Sequence, residues 1–155
     1  MKLTPHFTTE EFEVSRKAKE LGIRNKMPQI HAVNALALCI NVLEKVREHF
    51  GKPVTITSGY RSVALNEAIR GEATSQHCFG KAADIVIDGV PTIQIFKWII
   101  TNCFFDQCIY EMALDDDGNT TAIWVHVSFN GAKNRRQCLK GIRQNGKTTY
   151  TNFKG

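Results

Sequence analysis

Five side chains in this sequence are of chemically competent types and stand where an idle polar group would be expensive. His77 lies in the polar stretch Ser75-Gln76-His77-Cys78-Phe79-Gly80, and Asp84 follows it inside the apolar run Ala82-Ala83-Asp84-Ile85-Val86-Ile87. His126 sits in Ile123-Trp124-Val125-His126-Val127-Ser128, again among apolar neighbours. A charge inside such a strand is costly unless it is paired or bound to a cation. Two histidines and one aspartate suit zinc, with a fourth position left for water. A buried ion pair between Asp84 and His126 is the alternative. Strand parity adds Glu111. Gln107, Ile109, Glu111 and Ala113 share one face of a strand; Trp124, His126 and Ser128 share one face of the next. A register pairing Glu111 with His126 would set a carboxylate one strand from the metal, where a general base is wanted. An exposed or salt-bridged glutamate is the other reading. Arg61 leaves a strand through Gly59-Tyr60, where a guanidinium can hold a substrate carboxylate or a developing oxyanion, or simply sit in a turn. His6, His31 and His49 have no acidic or histidine partner at ligand spacing and read as surface or capping residues.

These residues need elements to hold them. Thr8-x-x-Glu11 is a capping box that opens a first helix, ending near Leu21-Gly22. Pro28 starts the longest predicted helix, 29–49, whose apolar stripe is Ile30, Val33, Leu36, Ala37, Ile40, Leu43 and Phe50, closed by Gly51. Val54–Thr57 is β-branched and reads as a strand. Residues 63–70 form a short helix, 71–81 a polar loop, 82–87 a buried strand and 92–101 a helix. Gln107–Ala113 and Thr121–Phe129 are strands joined by Asp115-Asp116-Asp117-Gly118-Asn119, and Gln144-Asn145-Gly146-Lys147 marks a second hairpin. Helices come first and the sheet later. The expected class is α+β, a mostly antiparallel sheet with helices on one side.

The 155 residues are 43% hydrophobic and 23% charged, which is globular composition for one domain spanning 1–155. No apolar run is long enough to cross a membrane. The N-terminus lacks the apolar region of a secretory signal, so synthesis in the cytosol is expected. A net charge of +5 favours anionic polymers. No nucleic-acid recognition motif accompanies the basic residues at 133–147, and nucleic acid is not an expected partner. The five cysteines form neither a C-x-x-C pair nor an even set, and read as reduced apolar residues.

Taken together, Ser58-Gly59-Tyr60-Arg61-Ser62, Leu65-Asn66, Ser75-x-His77-x-x-Gly80-x-Ala82-x-Asp84 and Trp124-Val125-His126-Val127-Ser128 resemble the zinc D-Ala-D-Ala peptidase family, from about residue 5 to 130. That family includes D,D-carboxypeptidases, VanX-type dipeptidases and phage endolysins, and its fold is similar to that of the hedgehog signalling domain. The resemblance implies zinc held by His77, Asp84 and His126. It implies that Arg61 binds or polarises substrate near the scissile carbonyl and that Ser75 orients substrate or ligands. Gln107 and Trp124, on the same sheet face, join the expected substrate-binding set. One departure stands out: the glutamate of the family's E-x-x-H motif is replaced here by Ile123, so the base is assigned to Glu111. The expected activity is zinc-dependent hydrolysis of peptidoglycan stem peptides by a monomer acting on the cell wall after release, as a phage or prophage product would. A non-catalytic zinc module recognising peptidoglycan or a protein is the competing expectation.

Overall fold

The structure is a computed structural model and describes residues 1–154. Lys2–Thr4 (β1) and Phe7–Thr8 (β2) form a small antiparallel pair. The capping box then opens α1 (Thr9–Glu13), with the Thr8 side chain accepting from the Glu11 backbone and Glu11 accepting from the Thr8 backbone. One helix was expected as far as Leu21, but the chain turns extended at Val14 and restarts as α2 (Arg16–Leu21). The reason is a second cap: Ser15 accepts from the Ala18 N–H.

The long helix is present as α3 (Gln29–Leu38), a π turn (Cys39–Leu43) and α4 (Glu44–Phe50), closed by Gly51 at φ 64°. Its buried face overlaps the predicted stripe only in part: Leu43 is buried and Leu36, Ala37 and Phe50 are half-buried. Ala32, Ala35, Leu38, Cys39, Val42, Leu43 and Val46 are buried, whereas Ile30, Val33 and Ile40 are 75%, 63% and 54% exposed. The helix is apolar on two sides. The side carrying small residues at 32 and 35 packs inward, where the backbone can approach its neighbours closely.

Thr55–Ser58 (β3), Val63–Ala68 (α5), a 3-10 turn (Gln76–Phe79), Ala82–Val86 (β4), Thr92–Asn102 (α6), Gln107–Leu114 (β5), Thr120–Ser128 (β6), Gln137–Gln144 (β7) and Lys147–Asn152 (β8) complete the chain. One six-stranded sheet has the order β3-β4-β6-β5-β7-β8. Every neighbouring pair is antiparallel except β5 with β7. The second hairpin turns through Asn145 and Gly146 at φ 55° and 73°, the left-handed pair a tight two-residue turn needs. The last segment of the chain therefore extends the sheet.

Period-two alternation divides the sheet. Ala83, Ile85, Val125, Val127 and Cys108 are buried in the core with Leu38, Val42, Phe96 and Ile99 of the helices. The residues between them, Asp84, His126, Trp124 and Glu111, line the opposite face. Helices lie on one side and the candidate site on the other.

Candidate active site

His77, Asp84 and His126 come together from the 3-10 turn, β4 and β6. Asp84 and His126 are direct cross-strand partners. His77 Nε2 lies 3.2 Å from His126 Nδ1 and 3.4 Å from Asp84 Oδ1, and His126 Nδ1 lies 3.1 Å from that same oxygen. Ligands about 2.0–2.1 Å from a tetrahedral zinc ion stand roughly 3.3 Å apart, so these three atoms already form one face of that tetrahedron. Among the described residues this is the group of metal-ligating side chains that converges.

The local sequence explains the convergence. Ser75 caps the 3-10 turn by accepting from the His77 N–H at 3.3 Å. Gly80 ends the turn at φ 69°, and a Cβ there would stand 2.5 Å from the His31 carbonyl oxygen. His77 Nδ1 donates to the Gly59 carbonyl at 2.7 Å, which leaves the Nε2 lone pair facing Asp84 and His126. Gly59 is itself required by close approach, since a Cβ would lie 2.7 Å from Phe12 Cα. Burial lowers the His77 pKa, against the pull of Asp84, and so keeps the ring a neutral lone-pair donor. Burial opposes the charge on Asp84, but His77 and His126 outweigh it and hold this carboxyl well below its ordinary range. The set is thus one carboxylate and two imidazoles, the donor chemistry zinc prefers.

Glu111 shares the site face but not the expected register. His126 pairs with Ile109, and Glu111 pairs with Trp124. The turn sits nearer β5 than a Glu111–His126 register requires, because Asp115 Oδ1 gathers the N–H groups of Asp117 and Asn119. Parity survives through a bulge: Leu114 pairs with Thr120 but Ala113 with Ala122, leaving Thr121 as the extra residue. Glu111 is therefore diagonal to His126, a separation of about 7–8 Å between backbones. Burial raises its carboxyl to about 7, with His126 acting to lower it, Asp84 to raise it and Arg61 to lower it.

Arg61 is half-buried and fixed. Its Nη1 donates to Asn66 Oδ1 at 3.1 Å, its Nε to Ser58 Oγ at 3.4 Å, and its backbone N–H to the His77 carbonyl at 3.1 Å. Burial lowers its pKa, opposed by Asp84, Cys78 and Glu111. A cavity of about 240 Å³ opens beside it, lined by Ser15, Lys17, Ser58 and Leu65 among others. Trp124 Nε1 and His126 Nε2 are buried without a hydrogen-bond partner among the described residues. Gln107 lies at the start of β5, and its amide donates to Gln137 at 2.9 Å, tying β5 to β7. Cys78 is half-buried and stands outside the converging group.

Three supports escaped the sequence reading. Asn66 is buried and holds Arg61 while its own amide donates to the Glu72 carbonyl. Asp106 is buried and accepts from the Arg135 guanidinium at 3.0 and 2.9 Å and from Gln76 at 2.8 Å, tethering the turn that carries His77. Tyr150 lies over Gly141, next to Glu111. Asn66 alone had a signal, its place in the Leu65-Asn66 motif; the partners of Asp106 and Tyr150 are distant in the chain.

No curated protein matches this chain. The family model for Peptidase M15 matches residues 5–115, a span that holds Arg61, His77, Asp84 and Glu111 and stops short of His126. The matched span covers most of the chain, and His126, the third member of the converging group, lies beyond it on β6. The chain belongs to the Peptidase M15 family, the zinc D-Ala-D-Ala peptidases.

Proposed function

We propose that this protein is a zinc peptidase that hydrolyses a peptide bond in the stem peptides of peptidoglycan, at the cell wall and in the manner of a phage-type lytic enzyme. The observation that carries this reading is the triangle of His77, Asp84 and His126 atoms at 3.1–3.4 Å, on the same sheet face as a carboxyl held near neutrality. Zinc bound there supplies Lewis acidity, polarising a carbonyl group and making water a nucleophile at neutral pH.

The chain's own residues supply the rest. Glu111, with a proton affinity near the working pH, takes a proton from the attacking water and returns it to the leaving amine. Arg61, held by Asn66 and Ser58, offers its remaining N–H groups to the oxygen that becomes negative. Trp124, paired with Glu111 across the strands, flanks the substrate on the site face. Asp106 and Gln76 keep the His77 turn in place, so the ligands need not reorganise. The net charge of +5 suits approach to an anionic wall polymer.

The test pairs zinc content with digestion of purified peptidoglycan, with and without chelator, reading fragments by mass spectrometry. About one zinc per chain and chelator-sensitive cleavage are expected, and the fragment masses name the bond, whether a D-Ala-D-Ala terminus or a cross-link. Absence of zinc would sink the proposal. One zinc without cleavage would favour the second reading, a zinc module that binds without cutting, which Ile123 in place of the E-x-x-H glutamate supports.

A further inference from the structure

The C-terminal hairpin lies beyond the segment that matches the family, yet it continues the sheet face on which the site is built. Registers across β6, β5, β7 and β8 place Trp124, Glu111, Gly141 and Tyr150 in one row. The next row toward the hairpin turn holds Ala122, Ala113, Arg143 and Thr148. Gly141 is buried and has no side chain for a reason. A Cβ there would stand 3.1 Å from Glu111 Cγ and 3.2 Å from Tyr150 Cε1, so the glutamate stem and the tyrosine ring close over it from both sides. Tyr150 is nonetheless 51% exposed, so part of the ring borders the groove. Arg143 is exposed, and its guanidinium makes no ion pair or hydrogen bond among the described residues. Arg143 pairs with Ala113 and stands two residues from Gly141 along β7, so strand alternation places it on the same side of the sheet as Glu111.

The geometry points to a specificity subsite made by this hairpin, in which Arg143, with the Tyr150 hydroxyl beside it, binds a carboxylate of the substrate peptide on the Glu111 side of the site. The inference rests on the peptidase reading above and deepens it. Stem-type peptides carry free carboxylates within a few residues of their scissile bonds, and an unpaired guanidinium beside a phenol donor is matched to such a group. The neighbouring row of Ala122 and Ala113 leaves room for a chain to lie across the strands. Gln107 and Gln137, at the other end of the same strands, are spent on each other and offer no cation.

The test is a binding measurement that does not need turnover. Zinc-loaded Glu111→Gln protein is titrated calorimetrically with two synthetic stem peptides, one with the acidic residue's carboxylate free and one with it converted to the amide. The free acid should bind at least about tenfold more tightly. In Glu111→Gln/Arg143→Gln that preference should collapse to within twofold, and Arg143→Lys should restore part of it. Tyr150→Phe should reduce it about threefold. Equal affinity for acid and amide in the parent, or a preference that survives Arg143→Gln, would overturn the subsite. Failure of the peptidase reading looks different: wild type would leave both peptides uncut, whatever the binding ratio.

Discussion

Glu111 has two testable properties, one for each protonation state. Replacing it with Gln should leave about one zinc per chain and reduce turnover at least a thousandfold; retention of near-normal turnover would remove it as the base. Its carboxyl is raised from 4.5 to about 7 by burial, so the folded chain holds this proton more tightly than the unfolded chain does. Activity should accordingly rise as pH climbs through about 7. Stability runs the other way. The folded state loses up to about 3 kcal/mol from this group as pH rises from about 4.5 to about 7. Metal-free Glu111→Gln should therefore be more stable than the parent at pH 8 and equal to it below pH 4.5, a comparison that denaturant titration decides. For Asp84 the direction is opposite: its depressed pKa gives stability above its unfolded value that is lost only as strong acid protonates it. Asp84→Asn should abolish tight zinc binding, since it removes the one anionic ligand. Of these residues, types and spacing pointed to the three that the fold brings together, His77, Asp84 and His126. The pairing of Glu111 was misjudged by two residues because alternation fixes the face of a strand and not where the turn sits, which Asp115 sets by gathering the Asp117 and Asn119 N–H groups.

Elements bring these groups to their places through close approaches that tolerate little. Gly59 lies against the backbone of Phe12, and its carbonyl holds the His77 ring. Gly59→Ala should cost about 1–3 kcal/mol and weaken zinc binding along with stability. A loss of stability with unchanged zinc affinity would show that the carbonyl does not orient the ring. Strand and turn positions were legible in the sequence because β-branched runs and Asn-Gly or Asp-Gly pairs carry local rules. The face of the long helix was not, since Ile30, Val33 and Ile40 make as good a stripe as the small residues that pack inward. Nor was the parallel pairing of β5 with β7, which depends on where the chain between 129 and 137 returns. That return is set by Asp106 and its bonds to Arg135, contacts that no local pattern announces.

Across the whole molecule, His77, Asp84 and His126 meet only when the 3-10 turn, β4 and β6 are all in place, so zinc binding at the proposed site would be coupled to folding. At a thousandfold excess over its Kd, zinc should stabilise the chain by about 4 kcal/mol, on the order of 10 °C in Tm at this length. Calorimetry with zinc and then with chelator checks this, and a midpoint indifferent to both would refute the site. The single extra residue at Thr121 bears on how such a molecule could change over generations. With it, the two histidines, the aspartate and the glutamate look out from one surface. Draw it into the ladder opposite Ala113, so that the Leu114–Thr120 register runs on unbroken, and the glutamate falls opposite Ile123 and turns to the core side while His77, Asp84 and His126 stay where they are. Strand register by itself can therefore separate an enzyme from a metal-binding scaffold, and one residue of slip in this hairpin divides those two lives with every active-site side chain unchanged.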